Sequence, residues 1–184
     1  MNKGEIIVIP TDTVYGLAAC LYDKEALEKI YAVKGREQSK QIPILISSVN
    51  QIKDIAIYDK KIKKIMDKFW PGALTIVLKT TPDFKHKTGE ETIAVRMPKH
   101  SKALELINTY GVLRVTSLNK SGEPPLEDMN DIIKQYGNVV SKIYENGDVD
   151  KSQVSSTVMM FVNDEIKILR EGTIDIKEIL NSVS

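Results

Sequence analysis

Thiol and imidazole are scarce in this chain of 184 residues, which has one cysteine, Cys20, and two histidines, His86 and His100. A single cysteine excludes an intramolecular disulfide, so nothing points to an oxidising compartment. C-x-x-C, H-E-x-x-H and G-x-S-x-G are all absent, which leaves zinc catalysis and the usual acyl-enzyme chemistry without support. Neither G-x-x-x-x-G-K-[ST] nor G-x-G-x-x-G occurs, so a bound nucleotide would use neither standard glycine loop. No uncharged run approaches the roughly 18 residues that span a bilayer. The stretch Met1–Pro10 is apolar for only about five residues and lacks the plan of a signal peptide. The expectation is a soluble, cytoplasmic protein with no membrane partner and no metal-ligating cluster.

What is present is a core. Apolar residues make up 42% of the chain, far from the composition of disordered chains, and the length predicts one domain over residues 1–184. Lys and Arg number 26 against 25 Asp and Glu, and the resulting +1, taken over the whole chain, argues against a strongly basic nucleic-acid binder. Counted locally, Lys24 to Lys68 holds 11 cations against 6 anions, while Ser121 to Ser184 holds 6 against 12. Neutrality is therefore a sum of two opposed regions.

Apolar and β-branched runs predict strands at Glu5–Ile9, Ile42–Ser47, Leu74–Lys79, Thr92–Arg96, Val112–Thr116, Thr157–Val162 and Ile166–Leu169. The last two flank Asn163-Asp164-Glu165, which reads as a hairpin loop. Helical periodicity predicts helices from Asp23 to about Lys34, over Asp59–Trp70, Ser101–Thr109 and Met129–Tyr136, and a short one at Asp175–Asn181. Strands alternating with helices, followed by a late hairpin, predict an α/β domain with a twisted mixed β-sheet flanked by helices.

Five segments could carry chemistry. Pro10–Leu17 follows the first strand and presents Thr11, Asp12 and Thr13, suited either to a small polar ligand or to a plain strand-to-helix connection. Lys34-Gly35-Arg36 with Lys40 would suit a polyphosphate, or would simply complement a helix dipole. Arg96 leaves a strand before Met97-Pro98 and could hold a carboxylate or lie in solvent. Thr116-Ser117-Leu118-Asn119-Lys120-Ser121-Gly122 suits nucleotide contacts but also describes ordinary loops. Ser155-Ser156-Thr157 opens a strand whose hairpin partner closes on Arg170. The absence of an evident nucleophile fits chemistry done by positioning and charge stabilisation, such as nucleotidyl transfer.

Taken together and in order, these stretches resemble the YrdC-like family, the threonylcarbamoyl-AMP synthases. The matching residues are Pro10–Leu17, Lys34–Arg36 with Lys40, Trp70–Leu78, Val95–Pro98, Thr116–Gly122, Ser155–Val158 and Leu169–Gly172. The resemblance implies the YrdC-like fold in its short, single-domain form. It implies synthesis of threonylcarbamoyl-AMP and pyrophosphate from L-threonine, bicarbonate and ATP, with Mg²⁺ assisting, for a tRNA modification completed by downstream threonylcarbamoyl-transfer proteins.

By resemblance, Lys34, Arg36, Ser117 and Asn119 form the catalytic signature at the nucleotide phosphates, with Lys40 and Arg170 also near ATP. Thr11, Arg96, Thr116 and Ser155 or Ser156 are expected around L-threonine. Leu118 stands where the family usually has Ala, and is expected near the nucleotide. Glu37 stands where Pro is usual, adding an anion beside the phosphates. The alternative functions are a non-catalytic module binding tRNA, double-stranded RNA or the ribosome through the basic region, and a related adenylate-forming enzyme with another substrate.

Overall fold

The computed structural model describes residues 1–145, 155–162 and 165–182. Its strands are β1 (Ile7–Ile9), β2 (Gly16–Cys20), β3 (Ile44–Leu45), β4 (Ala56–Ile57), β5 (Leu74–Thr80), β6 (Thr92–Arg96), β7 (Leu113–Ser117), β8 (Lys142–Ile143), β9 (Thr157–Val162) and β10 (Glu165–Arg170). The helices are α1 (Lys24–Lys34), α2 (Lys60–Phe69), α3 (Pro82–Thr88), α4 (Ser101–Tyr110), α5 (Met129–Tyr136) and α6 (Ile176–Asn181). Among the described residues the strands form one mixed sheet in the order β10-β9-β5-β6-β3-β7-β2-β1-β8, with β4 against β5.

Local chemistry sets the helix ends. Asp23 accepts from the Ala26 amide at 3.0 Å, Asp59 from Ile62 at 2.8 Å, and Asp128 from Asn130 at 2.8 Å, each satisfying a donor of a helix first turn. Along α2 the residues Ile62, Ile65, Met66 and Phe69 are buried, as their spacing predicts, while its lysines face outward.

Four expectations change. The stretch after Pro10 is a turn between two strands, not a strand-to-helix connection, because Gly16–Cys20 pairs antiparallel with β1. Its sequence, Gly-Leu-Ala-Ala-Cys, lacks polar alternation since β2 is covered on both faces, and its small residues have low strand propensity. Helix α3 is short and buries only Phe84, which hid its helical period, although Thr81 caps it and Pro82 opens it. Strand β3 is shorter than Ile42–Ser47. Leu118 does not approach a ligand pocket; it is fully buried with Val8, Leu17 and Ile132. In the hairpin, β9 and β10 pair antiparallel as expected, with Glu165 opposite Val162, while Asn163 and Asp164 lie outside the described residues.

The two faces of the sheet differ. Residues paired across neighbouring strands share a face. One face carries Val8, Leu17, Ile44, Val95, Ile76 and Met159, and it is covered by α1, α2, α3, α5 and α6. The other carries Ile9, Gly16, Val115, Ser117, Leu45, Arg96, Thr75, Val158 and Arg170. There α4 packs Leu106 and Ile107 over Ile9, Leu45, Leu113 and Val115. Burying each such side chain is worth about 1.5–3 kcal/mol. Beyond α4, the same face holds small and polar residues, and there a cavity opens.

Candidate functional site

The cavity has a volume of about 220 Å³, and its wall includes Thr11, Thr13, Arg36, Thr75, Arg96, Ser117, Ser155, Ser156 and Arg170. Drug-sized ligands usually occupy roughly 300–1,000 Å³, so this space suits a molecule of amino-acid size, with larger groups reaching its mouth.

Arg96 ends β6 and is only 6% exposed. Three of its N–H groups are held: Nε by the Gly72 carbonyl at 3.0 Å, Nη1 by the Thr13 hydroxyl at 2.8 Å, and Nη2 by an Asp12 carboxylate oxygen at 2.6 Å. Burial pushes its pKa down, and Asp12 opposes that shift. The turn supplying these partners is itself fixed, because the Thr11 hydroxyl donates to Val14 O at 2.6 Å and accepts from the Thr13 and Val14 amides. Gly72 lies in the turn after the cis Trp70–Pro71 peptide, and its amide donates to Met97 O at 2.8 Å. A β-carbon there would come within 2.5 Å of Phe69 O, so only glycine lets this carbonyl sit against Arg96.

The opposite wall comes from the sheet edge. Ser156 exchanges a hydrogen bond with Thr75 at 2.8 Å, and Arg170 donates to the Ser156 carbonyl and hydroxyl at 2.9–3.1 Å. Gly172 backs this arrangement, where a β-carbon would lie 2.2 Å from Ser155 O. Burial, and then the charge of Arg96, push the Arg170 pKa down, so the two guanidiniums sense one another. Arg36 is steadied by donating to Lys40 O at 3.0 Å and Gln41 O at 2.9 Å. Three guanidiniums thus border a space whose described lining contains no carboxylate, which focuses positive potential on any occupant.

Of the sequence-predicted residues, Thr11, Arg36, Arg96, Thr116, Ser117, Ser155, Ser156 and Arg170 border the cavity. Ser155 and Ser156 both do so, and Ser156 is the one bonded into its wall. Thr116 pairs with Leu17 on the opposite face, so its main chain rather than its hydroxyl faces the cavity. Lys34 and Asn119 stand behind Ser117 and outside the lining, bonded to one another. Lys40 is 56% exposed, lies outside the lining and pairs with Glu37 at 3.7 Å. Asp12 and Thr13 were expected only as members of a polar candidate segment, without a role, and Gly72 and Thr75 were not expected as site residues. A threonine interrupting the apolar run Leu74–Leu78 was the available signal for Thr75.

Among the described residues no group of three or more His, Cys, Asp or Glu could hold a metal ion, and no helix is long and apolar enough to cross a membrane. Burial raises the Cys20 pKa, which suits a packing role in β2 rather than a nucleophile.

Fold and cavity together define an α/β protein with an amino-acid-sized, arginine-bordered cavity on one open sheet face. The chain belongs to the Sua5/YciO/YrdC family, whose model, described as "Telomere recombination", matches residues 1–172. It is 34% identical to the threonylcarbamoyl-AMP synthase of Bacillus subtilis, over 97% of this chain and 53% of that protein. It is 31% identical to a putative threonylcarbamoyl-AMP synthase of Mycobacterium tuberculosis, over 97% of this chain and 83% of that protein. The crystal structure of P. abyssi Sua5 complexed with L-threonine superposes with a TM-score of 0.89 at 30% identity, covering 98% of this chain and 54% of that one. The chain therefore spans about half the length of the Bacillus relative and of the P. abyssi protein.

Proposed function

We propose that this protein is an L-threonylcarbamoyladenylate synthase. The observation that carries the reading is the amino-acid-sized cavity ringed by Arg36, Arg96 and Arg170 and by paired hydroxyls. The names of the relatives, and the L-threonine in the P. abyssi structure, support the same conclusion.

In this reading the two N–H donors of Arg96 not engaged by Asp12, Thr13 and Gly72 take the threonine carboxylate. The Ser156–Thr75 hydroxyl pair meets its polar groups. Arg36 and Arg170 take phosphate oxygens of ATP at the mouth, with Ser117 and Asn119 forming the adjoining turn. The threonine amine attacks the carbon of bicarbonate or CO₂ to give a carbamate, with water leaving in the first case and a proton released from nitrogen in the second. A carbamate oxygen then attacks the α-phosphorus, the bond to the bridging oxygen breaks, and pyrophosphate leaves with that electron pair. No protein nucleophile is required, and positioning with stabilisation of the developing charge carries the rate. The site's hydroxyls and guanidiniums do not form a protein cage for Mg²⁺, so the ion would travel on ATP oxygens and water.

The product would feed downstream threonylcarbamoyl transfer to tRNA in the cytoplasm. Incubating the protein with ATP, Mg²⁺, bicarbonate and L-threonine should release pyrophosphate only when threonine is present. Release that ignores threonine, or none from folded protein, would overturn the proposal. A second reading, direct RNA contact, is favoured by the outward lysines of α2, Lys60, Lys61, Lys63, Lys64 and Lys68. It requires an RNA affinity that falls steeply with salt.

A further inference from the structure

We propose that Lys34 is a positioning residue that clamps the turn after β7, rather than a ligand of the nucleotide phosphates. A lysine ammonium has three N–H donors and no acceptor. All three are committed here, to the carbonyls of Ser117 and Asn119 (the latter at 2.8 Å) and to Asn119 Oδ1 at 2.9 Å. The side chain is 3% exposed and does not border the cavity. It bridges 83 residues of sequence, from the end of α1 to the end of β7. The tie is doubled by the Ser121 amide, which donates to the Lys34 carbonyl at 2.8 Å.

What the clamp holds is the cavity's Ser117 hydroxyl. Asn119 Oδ1 accepts from Lys34 and also from Ser117 Oγ at 2.6 Å, and Asn119 Nδ2 donates to Glu123 O. Swinging Lys34 toward a ligand would strip its ammonium from at least one of these oxygens and leave it without that donor, a penalty that a solvated cation does not meet. Arg36, two residues on, is the cation that borders the cavity. The idea that this turn serves a nucleotide rests on the proposed function, but the clamp itself is a property of the ligand-free protein.

The test is amide hydrogen exchange across 117–121 in the full chain without ligand. In Lys34→Met the Leu118 and Ser121 amides should exchange about tenfold faster or more, while amides of β2 and β5 hold their wild-type rates, as expected for local opening. Saturating inorganic pyrophosphate should bring the variant's turn back toward wild-type protection with the amides of β2 and β5 unmoved, whereas relief of a general destabilisation would raise protection at all of them together. Asn119→Ala, which keeps the charge and removes one acceptor, should give a smaller loosening and carries the test if Lys34→Met does not fold. Turn exchange in Lys34→Met, or in Asn119→Ala should it be needed, that stays within about twofold of wild type in the ligand-free protein would overturn the clamp. Absence of threonine-dependent pyrophosphate release from the wild-type protein would overturn the proposed function and leave the clamp standing.

Discussion

Two arginines, Arg96 and Arg114, are equally hidden in this sheet and do different things. Each is about as buried as the other and each is paired with a carboxylate. Arg114 stands on the helix-covered face, where both oxygens of Glu90 and the Ile42 carbonyl receive it and its guanidinium lies 5.9 Å from the Phe84 ring centre. Arg96 stands on the open face, held by one oxygen of Asp12, a hydroxyl and a carbonyl. Each commits three of its five N–H donors, but the Glu90 fork answers both Nη groups of Arg114 with one carboxylate, whereas Arg96 gives a single donor to Asp12 and divides the others between a hydroxyl and a carbonyl. Burial and ion pairing therefore do not mark the site. The side of the sheet, and how completely the carboxylate answers the guanidinium, do.

The largest expected effect is at Arg96. Arg96→Ala should lower threonine-dependent pyrophosphate release by about 10²–10³-fold, as when one charge-stabilising donor is removed. It should also cost about 3–5 kcal/mol of stability, because Asp12 loses its partner in a buried setting. Denaturant melts of the double variant Asp12→Asn/Arg96→Met should recover much of that stability, with no recovery of turnover. If Arg96→Ala kept wild-type kcat/KM, the two arginines would be alike after all.

Arg114→Met should destabilise by a similar amount of about 3–5 kcal/mol, yet kcat/KM per folded molecule should stay within a few-fold of wild type. Adding Glu90→Gln should restore most of the melting temperature. A tenfold loss of kcat/KM in the stable double variant would make Arg114 part of the site and break the comparison.

A pH titration gives a third, smaller effect. Burial, and then the charge of Arg36, push the Lys34 ammonium from 10.5 down to about 8. Above that pH the neutral amine has two N–H groups for three oxygens, so activity should decline as pH rises through about 8. Global stability should not decline with it on this account. Between about 8 and 10.5 the unfolded chain holds one more proton at Lys34 than the folded one, and the contribution of this group to stability therefore grows with pH. Parallel activity and melting profiles that fall together would exclude Lys34 as the titrating group. The smallest effect belongs to Lys40, exposed and paired with Glu37, whose replacement by Ala should move stability by no more than about 0.5 kcal/mol.

The helices other than α3 were legible because their signals are local. Asp23, Asp59 and Asp128 cap the helices that follow them, and the apolar stripe of α2 faces the core. β2 was not legible, because a strand buried on both faces and built of Gly, Ala and Cys shows neither period nor propensity. In the site, Arg36, Arg96, Ser117, Ser156 and Arg170 were legible as polar residues at strand and helix ends. The standing of Lys34 and Leu118 was not, since whether a residue faces a cavity or a core depends on partners far along the chain, such as Ser117 for Lys34. The role of Asp12, and Thr75 altogether, escaped notice for the same reason: each matters through one distant partner, Arg96 or Ser156.

The edge hairpin of β9 and β10 supplies Ser156 and Arg170, and it joins the sheet through a parallel ladder from Leu74 to Val77. Its hydroxyl contact to Thr75 spans 81 residues of chain. Contacts so distant in sequence close late in folding, and edge units with few neighbours open first in the native state. The half of the cavity wall that carries Arg170 therefore hangs on long-range contacts at a sheet edge, so opening of that edge would dismantle the cavity while the ladders between β6 and β1 stayed paired.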